Sequence, residues 1–556
     1  MIRFQSSSIL SLSIAVGVLG CSSEALDSTA SEGAPVTELS QALSSLTLSG
    51  KVTSATGVGI AGVTVTLAGS SQGTRQTDST GSYSFTGLAA GSYSLRPTKG
   101  ACSFTPDVVN LNNLKASKAQ NFTGQGSGCS QAAKAIILVD QRLYALLQNE
   151  LDQYRQAASA RRGFGIELRA VGGIDDWSYQ AVKSLVSQAK AQNPALEGVM
   201  YVGNIKLPSF YKARNDIVLT RLSATYFEDL DGVFGKQQAP GSIDPTCDGT
   251  NEPYCVVGGA LTVPPHDFDT IAKGPSPEPE LWASFLPVGV AGSANGYADF
   301  ANQLRPYFNK VLSFYNHQLA PNGRYYFVSN DIGERFEWAW QAFGNQKIDF
   351  YGKAGPQGQV GDACIVNGQN LCYQRWPTET FPTFPEFYAY FQSQPWVAEN
   401  WQTADVFIPH MNAALYSVVE VNTHASETWS IVSSDQARAL TKAGLIVALS
   451  GCGVAGFYQP GSASYVDSGV APSDNLALSY LYGSSKALAA MGDPSWRGHY
   501  ANYPLIYREM KVSGAYLGQA HKTRMIENYA RAGSLPSDLK DWASEMLVGD
   551  PFMDLN

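Results

Sequence analysis

The amino-acid sequence predicts an α/β protein whose large domain follows a small all-β sandwich. In the amino-terminal quarter, short runs alternate apolar and polar residues and are separated by glycines, as in the strands of a sandwich. From residue 133 onward, apolar runs alternate with helix-like stretches, which is typical of a parallel or mixed sheet with helices on both faces. Hydrophobic residues make up 44% of the 556 positions, enough for a sizeable core.

The charge balance limits the class of partner. Charged residues make up only 15% of the chain, against about 25% in a typical soluble domain, and 38 basic against 47 acidic residues give a formal net charge of −9. The sequence therefore predicts no nucleic-acid partner. Few charges together with 53 glycines and 28 prolines favour an exported protein with short strands and ordered loops.

The amino terminus has the pattern of an export signal. Arg3 precedes an apolar run over residues 9–20, which is shorter than the roughly 20 residues that span a membrane. The run ends in Val-Leu-Gly-Cys at Cys21 and resembles a bacterial lipoprotein signal with its lipobox. The resemblance implies that residues 1–20 are removed and that Cys21 is acylated. An ordinary signal peptide cleaved near a chance cysteine is the alternative. We expect a lipoprotein anchored in a membrane of the bacterial cell envelope, in the outer membrane or at the cell surface.

A tether and a small domain follow the signal. Residues 21–44 are small, polar and acidic, which predicts a flexible tether. Residues 45–124 are expected to form the antiparallel sandwich. Its segments SGKVTSATGVGIAGVTVTLAG, TDSTGSYSFTGLAAGSYSLRPTKG and NFTG resemble the carboxypeptidase regulatory-like, or prealbumin-like, module. The resemblance implies a spacer, with glycan binding as the alternative. Residues 125–132 are expected to link it to the α/β domain at 133–556.

The cysteines suggest disulfides and one leftover thiol. Exported proteins meet an oxidising environment, in which thiols tend to pair. Six cysteines form sequence-local pairs, although pairing cannot be proved from sequence: Cys102 with Cys129, Cys247 with Cys255, and Cys364 with Cys372. If Cys21 carries lipid, Cys452 is left over, and it is either buried and inert or reactive.

The order of elements in the α/β domain follows from its apolar runs. Strands are predicted at 135–139, 165–171, 198–203, 283–288, 325–328, 405–408, 417–422 and 445–450. Helices are predicted at 141–161, 177–191, 297–315 and 434–443. The last helix separates two apolar strands, so this unit is a strand, a helix and a second, parallel strand.

Two candidate catalytic residues follow these last two strands. His424 comes just after the first and Cys452 just after the second. Because neighbouring parallel strands end at the same edge of a sheet, we expect the two side chains to lie within reach of each other. A thiol attacks as thiolate, and a nearby imidazole can deprotonate or stabilise it. Gly451 and Gly453 allow a sharp turn whose backbone N–H groups could face an oxyanion.

Several segments in order make this domain resemble the gingipain-type peptidases of the caspase-haemoglobinase fold. They are EGVMYVGN followed by Leu-Pro, YFEDLDG, FLPV before the helix at 297–315, NTH, SGC and the closing VGDP, and together they cover about 420 residues. The resemblance implies a caspase-like sheet, with His424 as general base or thiolate partner and Cys452 as nucleophile. It also implies an oxyanion hole formed by the backbone N–H groups of Cys452 and Ala425.

The sequence departs from the family pattern in two places. The family usually has Gly after the histidine, where this chain has Ala425, whose Cβ could narrow the site. The family's Gly-Arg-Leu/Ile-Pro strand appears as Ala-Ser-Phe-Leu-Pro at 283–287.

One acidic loop is a candidate metal site. Glu228, Asp229 and Asp231 lie in FEDLDG, and their carboxylates could ligate a structural Ca²⁺, although the loop lacks an EF-hand pattern. The alternative is an acidic loop that faces solvent or lines the substrate cleft. No His-Glu-x-x-His motif occurs, which disfavours a zinc peptidase. The one Gly-x-Ser-x-Gly match, at residues 69–73, lies in the predicted sandwich and not between a strand and a helix of the α/β domain, which disfavours a serine hydrolase. No cofactor is expected to be required.

Together these features predict an exported, lipid-anchored cysteine endopeptidase that cleaves proteins or peptides through a Cys-His dyad and an acyl-enzyme. The alternative is a catalytically inactive peptidase-fold protein that binds or adheres at the cell surface. A transpeptidase would share the acyl-enzyme and differ only in its acceptor.

Overall fold

The computed structural model describes most of both predicted domains. The described residues are 45–125 (without 55–56, 58, 61, 79 and 100–101), 133–172, 177–214, 217–236, 266–289 (without 277), 296–329, 336–352, 365–366, 369–370, 374–393, 404–451 (without 424 and 427), 453–455, 471–493, 503–531 and 545–556. The predicted signal, tether and almost all of the linker lie outside these residues. So do these cysteines: Cys21, Cys129, Cys247, Cys255, Cys364 and Cys372. Lipidation and the three disulfides therefore stay predictions. None of the described helices is long and apolar enough to cross a membrane.

The amino-terminal domain is an all-β sandwich, as predicted. Its strands are β1 (Leu46–Ser54), β2 (Thr64–Gly69), β3 (Gly73–Gln76), β4 (Ser82–Leu88), β5 (Gly91–Thr98), β6 (Ser103–Thr105), β7 (Val109–Leu114), β8 (Lys118–Ala119) and β9 (Phe122–Gln125). One sheet has the order β4-β1-β9-β6, with β8 beside β1, and the other has the order β3-β2-β5-β7. Alternate apolar residues of these strands fill a core of their own between the sheets.

The sandwich differs from the expectation in the direction of one strand. β1 pairs with β4 in the antiparallel sense, but it pairs with β8 and β9 in the parallel sense. The purely antiparallel sandwich predicted from the sequence was therefore wrong at this point. Alternation of apolar residues shows which face of a strand is buried, but it carries no information about the direction of the neighbouring strand.

The strands of the α/β domain are β10 (Ala133–Asp140), β11 (Gly165–Val171), β12 (Gly198–Val202), β13 (Ser209–Arg214), β14 (Ile217–Leu222), β15 (Val233–Gly235), β16 (Thr270–Ala272), β17 (Trp282–Leu286), β18 (Tyr325–Ser329), β19 (Ile348–Gly352), β20 (Ile365–Val366), β21 (Gln369–Asn370), β22 (Gln374–Trp376), β23 (Tyr416–Asn422), β24 (Gly444–Leu449), β25 (Ala489–Gly492) and β26 (Met546–Gly549).

The helices are α1 (Gln141–Arg162), α2 (Tyr179–Gln192), α3 (Thr225–Glu228), α4 (Tyr297–Tyr315), α5 (Phe336–Phe343), α6 (Phe384–Ser393), α7 (Ala404–Ala413), α8 (Ser434–Ala439), α9 (Leu476–Tyr482), α10 (Tyr503–Val512) and α11 (Leu517–Arg531). Short 3₁₀ helices occur at Asn345–Lys347, Thr378–Thr380 and Pro472–Asp474.

A single mixed sheet flanked by helices organises this domain, which confirms the predicted fold class. Its order is β11-β10-β12-β17-β26-β25-β24-β23-β18-β19-β22. The five strands from β11 to β26 are mutually parallel, and so are the five from β25 to β19. The two blocks meet where β25 and β26 pair in the antiparallel sense, and they therefore run in opposite directions.

The two blocks repeat one topology. In the first block, β10 lies between β11 and β12, and β17 follows β12; in the second, β18 lies between β19 and β23, and β24 follows β23. Each block therefore has the strand order 2-1-3-4. Because the two blocks run in opposite directions, the carboxyl ends of the strands in the second block lie on the same side of the sheet as the amino ends of the strands in the first. We call this the shared edge.

One predicted element was wrong. The strand expected at 405–408 belongs to helix α7. A four-residue apolar run cannot distinguish a buried strand from a buried helix. Here Phe407 and Met411 are both buried, four residues apart, which is the spacing of one helix face. The helix predicted at 434–443 is also shorter than expected, because α8 ends at Ala439 and Ala443 has a positive φ of 61°.

A buried carboxylate ties the carboxyl terminus to two helices. Asp550, which follows β26, is fully buried. Its Oδ1 accepts hydrogen bonds from the Tyr154 hydroxyl of α1 (2.6 Å) and the Phe552 N–H (3.0 Å), and its Oδ2 accepts one from the Tyr315 hydroxyl of α4 (2.7 Å). Burial raises the pKa of Asp550, and the hydrogen bonds oppose that rise. This cluster joins α1, α4 and the end of the sheet.

We expect Asp550→Ala to lower the free energy of unfolding by about 3 kcal/mol. The change leaves the Tyr315 hydroxyl and the Phe552 N–H without this acceptor, and the Tyr154 hydroxyl with only the weak acceptor Met200 Sδ at 3.5 Å. Urea denaturation followed by tryptophan fluorescence measures the change. Asp152→Ala is the control, because Asp152 forms a partly exposed pair with Arg155 at 3.5 Å, and we expect a change of at most about 0.5 kcal/mol. Equal losses in the two variants would contradict a structural role for the cluster.

Candidate active site

The strands that precede the two candidate catalytic residues are neighbours in the sheet. β23 and β24 pair in the parallel sense, with Val421 opposite Leu449 at the end of the register. The Ser450 N–H continues the pairing by donating to the Val421 carbonyl at 2.9 Å. Both strands therefore end at the shared edge.

The loops after β23 and β24 are in direct contact. Gly451 lies so close to the other loop that a Cβ added to it would be 2.4 Å from the Ala425 Cβ and 2.8 Å from the Thr423 carbonyl oxygen. Contacts under 3.0 Å do not occur for real Cβ atoms, so this position requires glycine. His424 and Cys452 themselves lie outside the described residues. Their immediate neighbours, however, are packed against each other.

The contact between Gly451 and Ala425 explains how the fold accepts Ala425, where the family pattern has Gly. Its methyl group lies against the backbone of Gly451. The extra carbon is therefore accommodated by a glycine on the facing loop. Ala425 retains the backbone N–H that the family resemblance implies for an oxyanion hole, and this role stays a prediction.

Hydrogen bonds hold the loop after β23. The Asn422 side-chain amide donates to the Ser329 hydroxyl at the end of β18 (3.1 Å), and the hydroxyls of Thr423 and Ser430 lie 3.0 Å apart. A tight turn follows, in which the Ser426 N–H donates to the Trp429 carbonyl at 2.7 Å. The segment around position 424 is thus anchored on both sides.

The loop after β24 is anchored by other elements. Gly453 has a positive φ of 70°, a conformation that glycine adopts without strain. The Val454 carbonyl accepts a hydrogen bond from the Ala477 N–H of α9, and the Ala455 N–H donates to the Asp493 carbonyl, both at 3.1 Å. The left-handed conformation therefore occurs at Gly453, the residue that follows the predicted nucleophile in the sequence.

The acidic loop lies in front of β17, also at the shared edge. Ligand oxygens of Asp229, Asp231 and Glu280 lie within 4.8 Å of one another. Each carboxylate has one oxygen bound to the protein: Asp229 to the Tyr529 hydroxyl (3.3 Å), Asp231 to the Ser276 N–H (2.8 Å) and Glu280 to the Leu230 N–H (2.7 Å). The Oδ1 atoms of Asp229 and Asp231 are buried and accept no hydrogen bond from the described residues.

The negative charges of Asp229, Asp231 and Glu280 are only partly balanced by the nearby Lys183. Burial, followed by the charge of Glu280, raises the pKa of Asp229 to about 6. The Lys183 ammonium donates to the Asp229 carbonyl at 2.8 Å, and burial lowers its pKa to about 8. An additional cation beside the two unpaired oxygens would relieve the remaining repulsion.

The structure places Glu228 apart from this ligand cluster. Glu228 is fully buried, and its Oε1 lies 3.1 Å from His521 Nε2 on α11 and accepts from the Ala283 N–H at 3.3 Å. Glu280 takes the third position among the clustered carboxylates. Glu280 is 49 residues after Asp231 in the sequence. Sequence reasoning missed it because the two residues come close together only in the folded sheet, where Glu280 directly precedes β17.

Sequence reasoning also missed a buried charged residue in β23. Glu420 is a single acid in the otherwise apolar run SVVEV, and it is only 2% exposed. Isolated charges in buried strands require partners. This rule could have identified Glu420 as a residue with buried partners, but which residues those partners are depends on the tertiary structure.

Comparisons with known proteins identify the amino-terminal module. Residues 47–123 match the family model of the carboxypeptidase regulatory-like domain. This match over residues 47–123 agrees with the resemblance stated from the sequence. The match ends before the α/β domain begins, and a search of curated proteins finds no match to the chain.

Two solved structures align with the chain at low identity. One is the Arg-specific cysteine proteinase gingipain R (RGPB), with 12% identity over 76% of this chain and 78% of its own, at a TM-score of 0.40. The other is the Bacillus anthracis TIE protein, with 14% identity over 17% of this chain and 19% of its own, at a TM-score of 0.14. At these TM-scores neither alignment assigns a residue of the site.

We expect Gly451→Ala to lower the free energy of unfolding by about 2 kcal/mol, because the new methyl group would overlap the Ala425 methyl group and the Thr423 carbonyl. Chemical denaturation measures the loss. The double variant Ala425→Gly/Gly451→Ala should recover part of it, because one of the two overlaps is removed. A fully tolerated Gly451→Ala would show that the two loops are not in contact.

Proposed function

We propose that the protein is an exported, lipid-anchored cysteine endopeptidase, with Cys452 as nucleophile and His424 as its acid-base partner. The observation that carries the proposal is the contact between the loops after β23 and β24, at Gly451, Thr423 and Ala425. It supports a dyad because the residues flanking His424 and Cys452 are close enough for a thiol and an imidazole to meet. The sequence resemblance at NTH and SGC supports the same pair of residues.

In the proposed reaction, the Cys452 thiolate attacks the carbonyl carbon of a peptide bond and forms a C–S bond. The backbone N–H groups of Cys452 and Ala425 donate hydrogen bonds to the oxyanion. His424 gives its proton to the amide nitrogen as the C–N bond breaks, which releases the amine product. Water then attacks the thioester, His424 accepts its proton, and the carboxylic acid leaves with regeneration of the thiolate.

The location and the covalent modifications belong to the same proposal. Acylation of Cys21 would tether the protein to a membrane of the cell envelope, and the sandwich would act as a spacer between the membrane and the catalytic domain. An oxidising compartment supports disulfides between the three sequence-local cysteine pairs. Mass spectrometry of the mature chain, with and without reduction, tests both modifications.

We expect a peptidyl electrophile, such as a chloromethyl ketone, to label Cys452 rapidly near neutral pH, because only an activated thiolate reacts at that pH. Peptide mass spectrometry locates the adduct on the full chain in detergent. His424→Ala should slow labelling by about tenfold or more. Peptide cleavage should be lost in both Cys452→Ala and His424→Ala.

The control is His317→Ala, because His317 lies in the turn after α4, distant in sequence from both candidate residues. It should label like the wild-type protein. If Cys452 reacts only after denaturation, or is found in a disulfide, the peptidase proposal fails. The protein is then an inactive, surface-displayed binding or adhesion protein of the same fold.

We further propose that Asp229, Asp231 and Glu280 hold a structural Ca²⁺. The support is the pair of buried, unpaired Oδ1 atoms together with the proximity of the three carboxylates. Hard oxygen ligands suit Ca²⁺, and such a cation would fix the loop before β17 at the shared edge. Glu228, which the sequence suggested as a ligand, is engaged by His521 instead.

We expect CaCl₂ at millimolar concentration to raise the Tm of the chelator-treated protein by about 2 °C or more, because a ligand that binds only the folded state stabilises it. Differential scanning fluorimetry measures the shift. Asp231→Asn should abolish it, whereas Glu278→Gln, an exposed neighbour of the loop, should retain it. An equal shift in both variants would show that the calcium binds elsewhere.

A further inference from the structure

A single fully buried arginine lies beneath the shared edge. Arg524 projects from α11 and has no solvent exposure. Among the residues whose side-chain burial the structure describes, no other Arg or Lys is buried. Its guanidinium lies over the Tyr503 ring of α10, 4.8 Å from the ring centroid. A buried cation is costly unless carboxylates compensate it.

Three carboxylates on three different elements compensate this charge. Glu545, immediately before β26, forms an ion pair with Arg524. Glu228 of α3 and Glu420 of β23 also interact with it electrostatically. Burial lowers the pKa of Arg524, whereas the charges of Glu228 and Glu420, together with Tyr503 and Tyr507, oppose that effect.

Glu420 is held on β23 by two hydroxyl groups. Its Oε2 accepts hydrogen bonds from Tyr325 of β18 at 2.8 Å and from Tyr507 of α10 at 3.0 Å. Burial raises the pKa of Glu420 to about 7, while the two hydroxyls and the charge of Arg524 oppose the rise. Near neutral pH the carboxyl group therefore changes between a neutral and a charged state.

Glu420 and Glu545 are both connected, through the strands that they lie on or precede, to the loops that carry the candidate catalytic residues. Glu420 lies on β23, and His424 follows four residues later in the sequence, beyond the end of that strand. Glu545 precedes β26, whose Met546 pairs with Gly492 at the end of β25. Gly492 in turn packs against Val454 and Ala455, the residues that follow the turn at Cys452; a Cβ added there would lie 2.7 Å from Val454 Cγ2.

We propose that Glu420 and Arg524 are positioning residues of the dyad. Glu420, clamped by Tyr325 and Tyr507 and attracted by the charge of Arg524, holds the end of β23, and with it the loop that carries His424, beside the loop after β24. This inference rests on the proposed function and deepens it. Neither residue is assigned a contact with substrate. The ionised form of Glu420 draws β23 toward α11, and this attraction is lost when Glu420 takes a proton.

Several elements contribute groups that face Arg524 and Glu420. They are Glu228 of α3, Tyr325 of β18, Tyr503 and Tyr507 of α10, and Glu545 before β26. His521 of α11 contacts Glu228. Asp493 at the end of β25 interacts with Tyr503. Arg524 thus supplies a positive charge among mainly acidic groups. Replacing it by a neutral residue should therefore raise the pH at which Glu420 ionises.

The test is the alkylation rate of Cys452 by iodoacetamide in the full chain, measured by peptide mass spectrometry at pH 5.5 and 7.5. Glu420→Gln mimics the protonated acid. It should slow alkylation about fivefold at pH 7.5 and less than about twofold at pH 5.5, where wild-type Glu420 already carries its proton. A purely structural role would slow both rates equally.

Three further variants sharpen the result. Arg524→Lys keeps the charge and should alkylate within about twofold of wild type, whereas Arg524→Met should move the rate transition to higher pH. Arg305→Met is the control, because Arg305 of α4 pairs with Glu150 at 2.7 Å, and it should match wild type. If Arg524→Met does not fold, Glu420→Gln still decides the question.

The outcomes separate this inference from the proposal on which it rests. Equal slowing of Glu420→Gln at both pH values, or no slowing at all, overturns the positioning role and leaves the peptidase proposal intact. Wild-type protein whose Cys452 resists alkylation until it is denatured overturns both.

Discussion

The antiparallel pairing of β25 with β26 determines where the chemistry of this protein can lie. Parallel strands place their carboxyl ends at one edge, where ligand and catalytic sites of α/β sheets are usually built. Here one antiparallel contact reverses the second block, so its carboxyl ends meet the amino ends of the first. The segments before β17 and β26 therefore lie along the same edge as the loops that carry His424 and Cys452.

Buried acids lie at both ends of the strands, and the fold compensates them in different ways. Asp550, at the opposite end of β26, receives two tyrosine hydroxyls and a backbone N–H. Glu420 receives two tyrosine hydroxyls and the charge of Arg524. The pKa values of Glu420 and Asp229 are both raised, to about 7 and about 6. Acids near the shared edge thus change protonation in the range where a thiol-imidazole pair would work.

Much of the architecture was predictable because it depends on local patterns. Alternating runs gave the sandwich, and the strand-helix-strand unit around α8 placed His424 and Cys452 after neighbouring parallel strands. The reversal of the second block was not predictable, because β25 (Ala489–Gly492) and β26 (Met546–Gly549) are four-residue strands without a distinctive pattern. Which neighbour a strand chooses, and in which direction, depends on packing that apolar spacing does not encode.

The same limit applies to the candidate site. The leftover-cysteine argument and the strand ends pointed to the dyad, and the FEDLDG loop pointed to two of the clustered carboxylates. Glu280, Glu420 and Arg524 were not predicted as one system, since they are far apart in the chain and meet only around the sheet. Sequence patterns thus located the ends of the strands, but not the buried charges that hold those ends in place.

The repeated 2-1-3-4 order shows why this topology alone does not supply a function. The first block also has neighbouring third and fourth strands, and they end at the opposite sheet edge. There the residues after β12 and β17 are Gly203 and Pro287, and neither offers a nucleophile or a base. Asp140 at the end of β10 is used to cap α1, accepting from the Arg142 N–H and the Tyr297 hydroxyl. One topology thus serves as scaffold in one block and as a candidate site in the other, so the function must be decided at His424 and Cys452.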